Sequence, residues 1–159
     1  MSDDPMQDAD FDGEGWEWFR SSDEPKQAVI SGETFANKTV QYSELDGLAI
    51  FEGDIVLGTA EEMQAASDDS GDFVAHGVAI TGERYRWPNG VVPYQIDPAL
   101  PNQSRVTRAI AHWEDRTNLR FPRRTSANAS RYPNYIRFFR GSGCWSRVGM
   151  QGGRQDISL

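Results

Sequence analysis

The chain has 159 residues, a formal net charge of −8 and 38% hydrophobic residues, which fits one modest hydrophobic core better than several domains. No apolar run approaches the roughly 20 residues of a membrane-spanning helix, and the acidic start of the chain is unlike a secretory signal peptide, so neither is predicted. The single cysteine excludes an internal disulfide and a cysteine-based metal cluster. These features specify no cellular compartment.

The charge is distributed unevenly along the chain. Residues 1–77 carry 19 acidic and 3 basic residues, a net charge of −16, whereas residues 78–159 carry 5 acidic residues and 13 arginines, a net charge of +8. We expect the two halves to attract each other. The asymmetry is typical of a tail that shields a nucleic-acid site, of a pro-segment that covers an enzyme, or of two solvated faces.

The first 28 residues are rich in Asp, Glu, Ser and Gly, a composition that buries too little apolar surface to offset chain entropy and predicts a largely disordered segment. Residues 29–77 change character. Four short β-favouring runs follow one another between turn residues: Val29–Ile30, Thr39–Tyr42, Leu48–Phe51 and Ile55–Leu57. Thr59 and Glu62 then form a capping-box pattern that predicts a short helix to about Ala66. A polar linker is predicted at residues 67–72.

The region after residue 77 predicts one long helix among short strands. The run Val91–Ile96 predicts a strand, and Pro93 within it favours either an edge strand or the first residues of the strand. Ser104 is predicted to cap the helix, which carries its apolar face to a core, and Asn118 to end it in a left-handed conformation. The apolar face comprises Val106, Ile110 and Trp113. Further strands are predicted at residues 119–121, 134–140, 145–148 and 155–159. This arrangement is of the α+β class.

The residues alone define no complete catalytic set. His76 and His112 lie far apart in different predicted elements, and no zinc, phosphate-loop or nucleophile-elbow motif occurs. Aromatic residues alternate with arginines over residues 135–140, as in a base-stacking platform. The chain nevertheless has no lysine after Lys38 and is acidic overall, and we therefore predict no nucleic-acid partner.

The turn Glu52-Gly53-Asp54 between two β-runs has two interpretations. It is either an ordinary turn or a close-approaching glycine with a carboxylate at its tip, as in a segment that plugs a metal site. Near the end of the chain, the sequence Gly143-Cys144-Trp145 contains either a buried thiol or half of a disulfide whose partner is elsewhere.

Three segments, in order, resemble the pro-segment and first part of the catalytic domain of astacin-family zinc endopeptidases. They are Phe51-Glu52-Gly53-Asp54-Ile55; the pattern from Ala79-Ile80 through Gly82, Tyr85 and Trp87 to Gly90-Val91-Val92-Pro93-Tyr94; and Gly143-Cys144-Trp145-Ser146 with Val148-Gly149, Gly152-Gly153, Gln155 and Ile157-Ser158-Leu159. Together they cover roughly residues 40 to 159.

The resemblance implies the N-terminal subdomain of a metzincin-like protease, with a small mixed sheet and one long helix. It implies a pro-segment at residues 29–77, after the disordered residues 1–28, and an incomplete peptidase subdomain at 78–159. Activation cleavage is expected near Gly77, Val78 and Ala79. Asp54 is implied as the inhibitory zinc ligand that displaces the attacking water.

The resemblance also implies that Cys144, Trp145 and Ser146 form the strand along which a substrate peptide lies, and that Cys144 bridges to a cysteine outside this sequence. Zinc is the implied cofactor and a peptide or protein the implied substrate; no membrane partner and a monomeric state are expected. The three zinc-binding histidines would follow residue 159, so this fragment is expected to be an inactive zymogen form. Asn118 stands where the family usually has cysteine, and Arg84 where it is commonly acidic. The alternative is a non-enzymatic binding module that kept the sheet.

Overall fold

The computed structural model describes residues 24–32, 35–68 and 83–159. The strands are β1 (Lys26–Gly32), β2 (Phe35–Leu45), β3 (Leu48–Phe51), β4 (Ile55–Thr59), β5 (Tyr94–Ile96), β6 (Tyr135–Phe139), β7 (Trp145–Ser146) and β8 (Arg154–Ser158), and the helices are α1 (Ala60–Asp68) and α2 (Ser104–Arg116). Short 3-10 turns occupy Glu83–Tyr85, Pro88–Gly90 and Ser126–Asn128. The predicted α+β class is confirmed.

The eight strands form one mixed sheet in the order β1-β2-β3-β4-β7-β8-β6-β5. Strands β1 to β4 pair antiparallel, each with the next in the chain, and β7 pairs antiparallel with β8. The pairs β4 with β7, β5 with β6 and β6 with β8 are parallel. Pro93 lies directly before β5, which begins at Tyr94 and is the last strand of the sheet, and this agrees with the prediction of an edge strand or the start of a strand.

The first core lies between strands β1 to β4 and helix α1. Its buried residues are Ala28, Ile30, Val40, Tyr42, Ala49, Leu57 and Met63, with Phe51 packed against them. Helix α1 packs on β1, β3 and β4, and Met63 of that helix is fully buried. The predicted capping box is confirmed: the amide of Thr59 donates to Glu62 Oε2 at 2.8 Å, and the amide of Glu62 donates to Thr59 Oγ1 at 3.0 Å.

The second core lies between helix α2 and strands β5 and β6. It comprises Val92, Tyr94, Leu100, Val106, Ile110 and Ile136, with half-buried apolar residues such as Phe138 and Ile157 around it. The prediction for Trp113 is wrong, since 52% of this residue is exposed. A helical repeat determines which residues share a face, but not how far along the helix the covering strands extend.

Both predicted ends of helix α2 are also wrong in detail. Gln103, already in a helical conformation, is the N-cap, and the Ser104 hydroxyl instead donates to Asn102 Oδ1 at 2.7 Å. Thr117 is the C-cap in an extended conformation. Its amide and its hydroxyl both donate to the Trp113 carbonyl, which satisfies the end of the helix without a left-handed residue, and Asn118 has no positive φ.

Several predicted strands are shorter or start elsewhere. Strand β1 begins at Lys26, so residues 26–28 belong to a strand although they were predicted to be disordered. Of the predicted strand Val91–Ile96, only Tyr94–Ile96 forms a strand, and the predicted strand at residues 119–121 is reduced to an isolated bridge between Arg120 and Val91. Strand β7 ends at Ser146, two residues earlier than predicted, and residues 67 and 68 of the predicted linker belong to α1. Across the described ranges, the helices are too short or too polar to cross a membrane.

We predict that replacing Thr59 with alanine lowers the free energy of unfolding by about 1 kcal/mol, because the N-terminal amides of α1 lose their capping acceptor. Urea denaturation followed by circular dichroism measures the change. Thr107→Ala is the control, since the Thr107 hydroxyl donates to the Ser104 carbonyl within an already formed helix and should change the value by less than about 0.5 kcal/mol. Equal effects of the two substitutions would contradict the capping account.

Candidate functional site

Strand β7, predicted as the substrate strand, has both of its edges paired. On one edge Trp145 pairs with Ser158 and Ser146 with Ile157 of β8. On the other edge Ser146 pairs with Ile55 of β4 in parallel orientation, and the Ser146 amide donates to the Asp54 carbonyl oxygen at 2.9 Å. The structure therefore brings two predicted site residues, Asp54 and Ser146, into direct backbone contact.

The turn before β4 places the Asp54 side chain at the surface. Glu52 and Gly53 both adopt left-handed conformations, with φ of 52° and 90°, and the Asp54 amide donates back to the Phe51 carbonyl at 3.3 Å. Glycine favours this region, whereas glutamate is strained there. The Asp54 carboxylate is exposed and has no hydrogen-bond or ion-pair partner within the described ranges. It is available to an external ligand.

The remaining residues of the predicted substrate strand are half-buried. Cys144 is a free thiol in the described part of the chain. The Trp145 ring packs edge-to-face on Phe139, with centroids 5.6 Å apart at 70°. The Trp145 indole Nε1 is buried and has no acceptor among the described residues. The strand is thus fixed by packing, while one indole donor stays unused.

Two buried polar side chains, overlooked as positioning groups by the sequence analysis, hold the loops on both sides of β7. Gln155 donates from Nε2 to the Gly149 carbonyl at 2.8 Å and accepts from the Gln151 amide at 2.9 Å. The Ser158 hydroxyl donates to the Gly143 carbonyl. Because β8 (Arg154–Ser158) is mostly polar, its sequence contains no signal that distinguishes these two residues.

Gly149 shows why glycine stands in this loop. Its φ is +70°, and a Cβ there would lie 3.0 Å from the Tyr85 carbonyl oxygen. That carbonyl accepts a hydrogen bond from the Met150 amide at 2.8 Å. The close approach ties residues 83–85 to the loop that follows β7.

A cavity of about 710 Å³ adjoins β7. It is lined mostly by the C-terminal part of the chain, residues 83–159, and by one residue of the N-terminal part, residues 24–68. Leu48 contributes from β3, and the opposite wall contains Trp145 and cationic and anionic side chains, among them Arg84, Arg147, Arg154 and Asp156. The pairing of β4 with β7 therefore lies next to an open cavity.

The arginine and aromatic residues of β6 have structural partners. Arg137 donates to Asp97 Oδ2 at 2.6 Å and lies 3.7 Å from Asp156 Oδ2, and its guanidinium stands 5.2 Å from the Phe139 ring centre. Phe138 packs in the second core. The alternation that suggested a stacking platform is thus accounted for by ion pairs and core packing, and the absence of a nucleic-acid partner stays a prediction.

Metal-binding residues are sparse in the part of the chain that is described. No group of three or more His, Cys, Asp or Glu side chains that could hold a metal ion occurs there. His112 lies exposed on α2 with its Nδ1 2.8 Å from Arg116, far along the chain from Asp54. His76 and the predicted cleavage residues Gly77, Val78 and Ala79 lie outside the described ranges.

Comparisons with known proteins point to one family. The model of the peptidase family Astacin matches residues 79–159, just over half of the chain. The chain is similar to Blastula protease 10 of Paracentrotus lividus, with 42% identity over 117 residues that cover 69% of this chain and 19% of that protein. It is similar to Protein SpAN of Strongylocentrotus purpuratus, with 34% identity over 143 residues that cover 86% of this chain and 23% of that protein.

The name of a nematode relative includes the metal zinc. The chain is 34% identical over 83 residues to Zinc metalloproteinase nas-6 of Caenorhabditis elegans, covering 51% of this chain and 23% of that protein. This name agrees with zinc as the predicted cofactor of the family. The chain spans about a fifth of the length of these relatives. The match to Protein SpAN extends well before residue 79, because it covers 86% of the chain.

The ion pair between Asp97, which follows β5, and Arg137 of β6 makes the stability of the chain depend on pH. The Ala99 amide and the Arg137 guanidinium lower the pKa of Asp97 below its usual value. The stabilisation is therefore complete above the unfolded-state pKa of about 3.9, decreases as the pH falls below it, and is lost below the folded-state pKa.

We expect the urea midpoint of the Asp97→Asn chain to lie below that of the unsubstituted chain at pH 6, and the two midpoints to converge as the pH falls through the acidic range. Asp115→Asn is the control, because the Asp115 carboxylate is 77% exposed and lies 3.8 Å from Arg116. A difference in urea midpoint between Asp97→Asn and the unsubstituted chain that persists unchanged to pH 2 would contradict the stabilising role of the ionised Asp97 carboxylate.

Proposed function

The chain belongs to the astacin family of peptidases, and we propose that it is the zymogen portion of a zinc-dependent endopeptidase, with a pro-segment that ends near residue 77. In this proposal the full-length protein cleaves peptide or protein substrates, acts as a monomer and is latent until its chain is cut near Gly77, Val78 or Ala79. The present portion has no hydrolytic activity of its own.

The contact between β4 and β7 carries the proposal. A peptide that binds to the edge of a sheet uses the amide and carbonyl groups of the edge strand. In this chain, the Ser146 amide that a substrate on Cys144, Trp145 and Ser146 would use already donates to the Asp54 carbonyl. The pro-segment therefore competes with substrate for the same backbone group.

Besides the strand contact, the Asp54 side chain is suited to block the zinc site. Carboxylate oxygens are established zinc ligands, and the Asp54 carboxylate is exposed next to β7 without a partner among the described residues. It fits one ligand position. The described residues supply no further ligand group, and we propose that the other ligands are histidines beyond residue 159.

The division of roles follows from these positions. Zinc, when bound, supplies a Lewis acid that polarises the scissile carbonyl group. Asp54 would be the residue of this chain that binds the metal in the latent form, and its carboxylate would exclude the attacking water. Strand β7 orients the substrate backbone once the pro-segment has left, and the Trp145–Phe139 packing keeps the strand in place.

Asp54→Asn in the uncleaved full-length protein tests the proposal. Asparagine is neutral and a weaker zinc ligand than a carboxylate, so we expect chelator-sensitive peptidase activity of the uncleaved form to rise at least about tenfold, which corresponds to a loss of about 1.4 kcal/mol of Asp54–zinc binding. A fluorogenic peptide measures the rate, and gel electrophoresis verifies that the chain stays uncut.

Asp46→Asn is the matched control. Asp46 is also an exposed carboxylate in a hairpin turn of the pro-segment, but it lies in the turn between β2 and β3, neither of which pairs with β7. It should leave latency unchanged. Equal latency of Asp54→Asn and the unsubstituted zymogen would show that the Asp54 carboxylate is not required for latency. Absence of chelator-sensitive activity even after cleavage near residue 78 would favour the alternative, a binding module without catalysis.

A further inference from the structure

The pro-segment has a hydrophobic core of its own. The buried residues of the first core all belong to residues 28–63, and those of the second core all belong to residues 92–136. The half-buried residues around the second core also lie between residues 87 and 159. Because burial of apolar surface is the main favourable term in folding, each part carries its own driving force.

The contact between the two parts is narrow by comparison. Strand β4 pairs with β7 through one residue pair, Ile55 with Ser146, whereas β6 pairs with β8 along its whole length from Tyr135 to Phe139. Beside this contact lies the cavity lined by Leu48 and Trp145. At the neighbouring turn, Leu45 lies 3.6 Å from the position that a Cβ of Gly143 would occupy. The junction is thus a strand-edge contact beside open space.

The elements of residues 26–68 suffice for a small folded unit. A two-stranded hairpin is marginal in water, whereas three or more strands packed on a helix can be stable. Here four antiparallel strands carry helix α1, the helix has a complete capping box, and Met63 and Ile30 are fully buried. A unit of this size is near the lower limit for independent folding.

We propose that residues 26–68 form a separable inhibitory module, which leaves as a folded unit when the connecting segment is cut and binds β7 again in trans. The partner is the edge of β7 around Ser146, in the same molecule or in another copy. The inhibitory role of the module rests on the proposed function, whereas its folding and rebinding do not.

The connection between the parts explains why such a narrow contact suffices before cleavage. A covalent link makes the binding intramolecular, which raises the effective concentration of each part at the other. Cutting the segment between residues 68 and 83 removes this advantage without changing any contact at β7. Release is then governed by dilution, and does not require the module to unfold.

The experiment uses the whole chain with a recognition site for a specific protease inserted between residues 68 and 83. After the cut, size-exclusion chromatography at high and low protein concentration follows dissociation, and circular dichroism of the isolated N-terminal piece follows its folding. We expect one complex at high concentration, two species after dilution, and a cooperative thermal transition of the released piece. Adding the piece back should restore the complex.

A core substitution and a surface substitution in the released piece are the controls. Met63→Ala creates a cavity in the first core and should abolish the transition of the released piece, whereas Val29→Ala, at a residue that is 51% exposed, should leave that transition nearly unchanged. An unfolded N-terminal piece, or pieces that do not recombine at high concentration, would overturn the proposal.

The outcomes separate this proposal from the proposed function. A module that folds and rebinds, in a zymogen whose latency does not depend on Asp54, supports the module and contradicts the blocking role. A piece that unfolds on release, from a zymogen that Asp54→Asn activates, contradicts the module and leaves the blocking role intact.

Discussion

The hydrogen bond from the Ser146 amide to the Asp54 carbonyl joins the two halves of this molecule at the position where its chemistry is expected. A β-strand has two edges, and β8 already occupies one edge of β7. Whatever pairs with the other edge competes for the same amide. In this chain β4 occupies it, and the turn at residues 52–54 leaves the Asp54 side chain exposed next to this contact.

This arrangement depends on a β7 that is fixed before any peptide binds. Gln155 holds the loop after the strand through two hydrogen bonds, and Ser158 holds the loop before it. Gly149 allows the loop to approach Tyr85 closely. A strand positioned in this way loses little conformational entropy when it pairs with another segment, so β7 suits both β4 and, in the proposed function, a substrate.

Local features were predictable from the sequence because local interactions determine them. The capping box of Thr59 and Glu62 depends on residues close in the chain and is confirmed, and the strand edge or strand start favoured by Pro93 agrees with the position of β5. Periodicity also placed Val106 and Ile110 in a core. The exposure of Trp113 and the extended cap at Thr117 were not predictable, because they depend on the extent of the covering sheet and on competition among cap residues. The pairing of β4 with β7 joins residues far apart in the chain, and no local pattern encodes it.

The account is tested most directly by hydrogen exchange of the Ser146 amide, resolved by NMR, in the intact chain and after the chain is cut between residues 68 and 83 and diluted. The Ile136 amide, which donates to the Pro93 carbonyl within the second part, is the internal reference. We predict that Ser146 is protected in the intact chain and exchanges much faster after release, while Ile136 is unchanged. Fast exchange of Ser146 in the intact chain, or equal protection before and after release, would contradict the account.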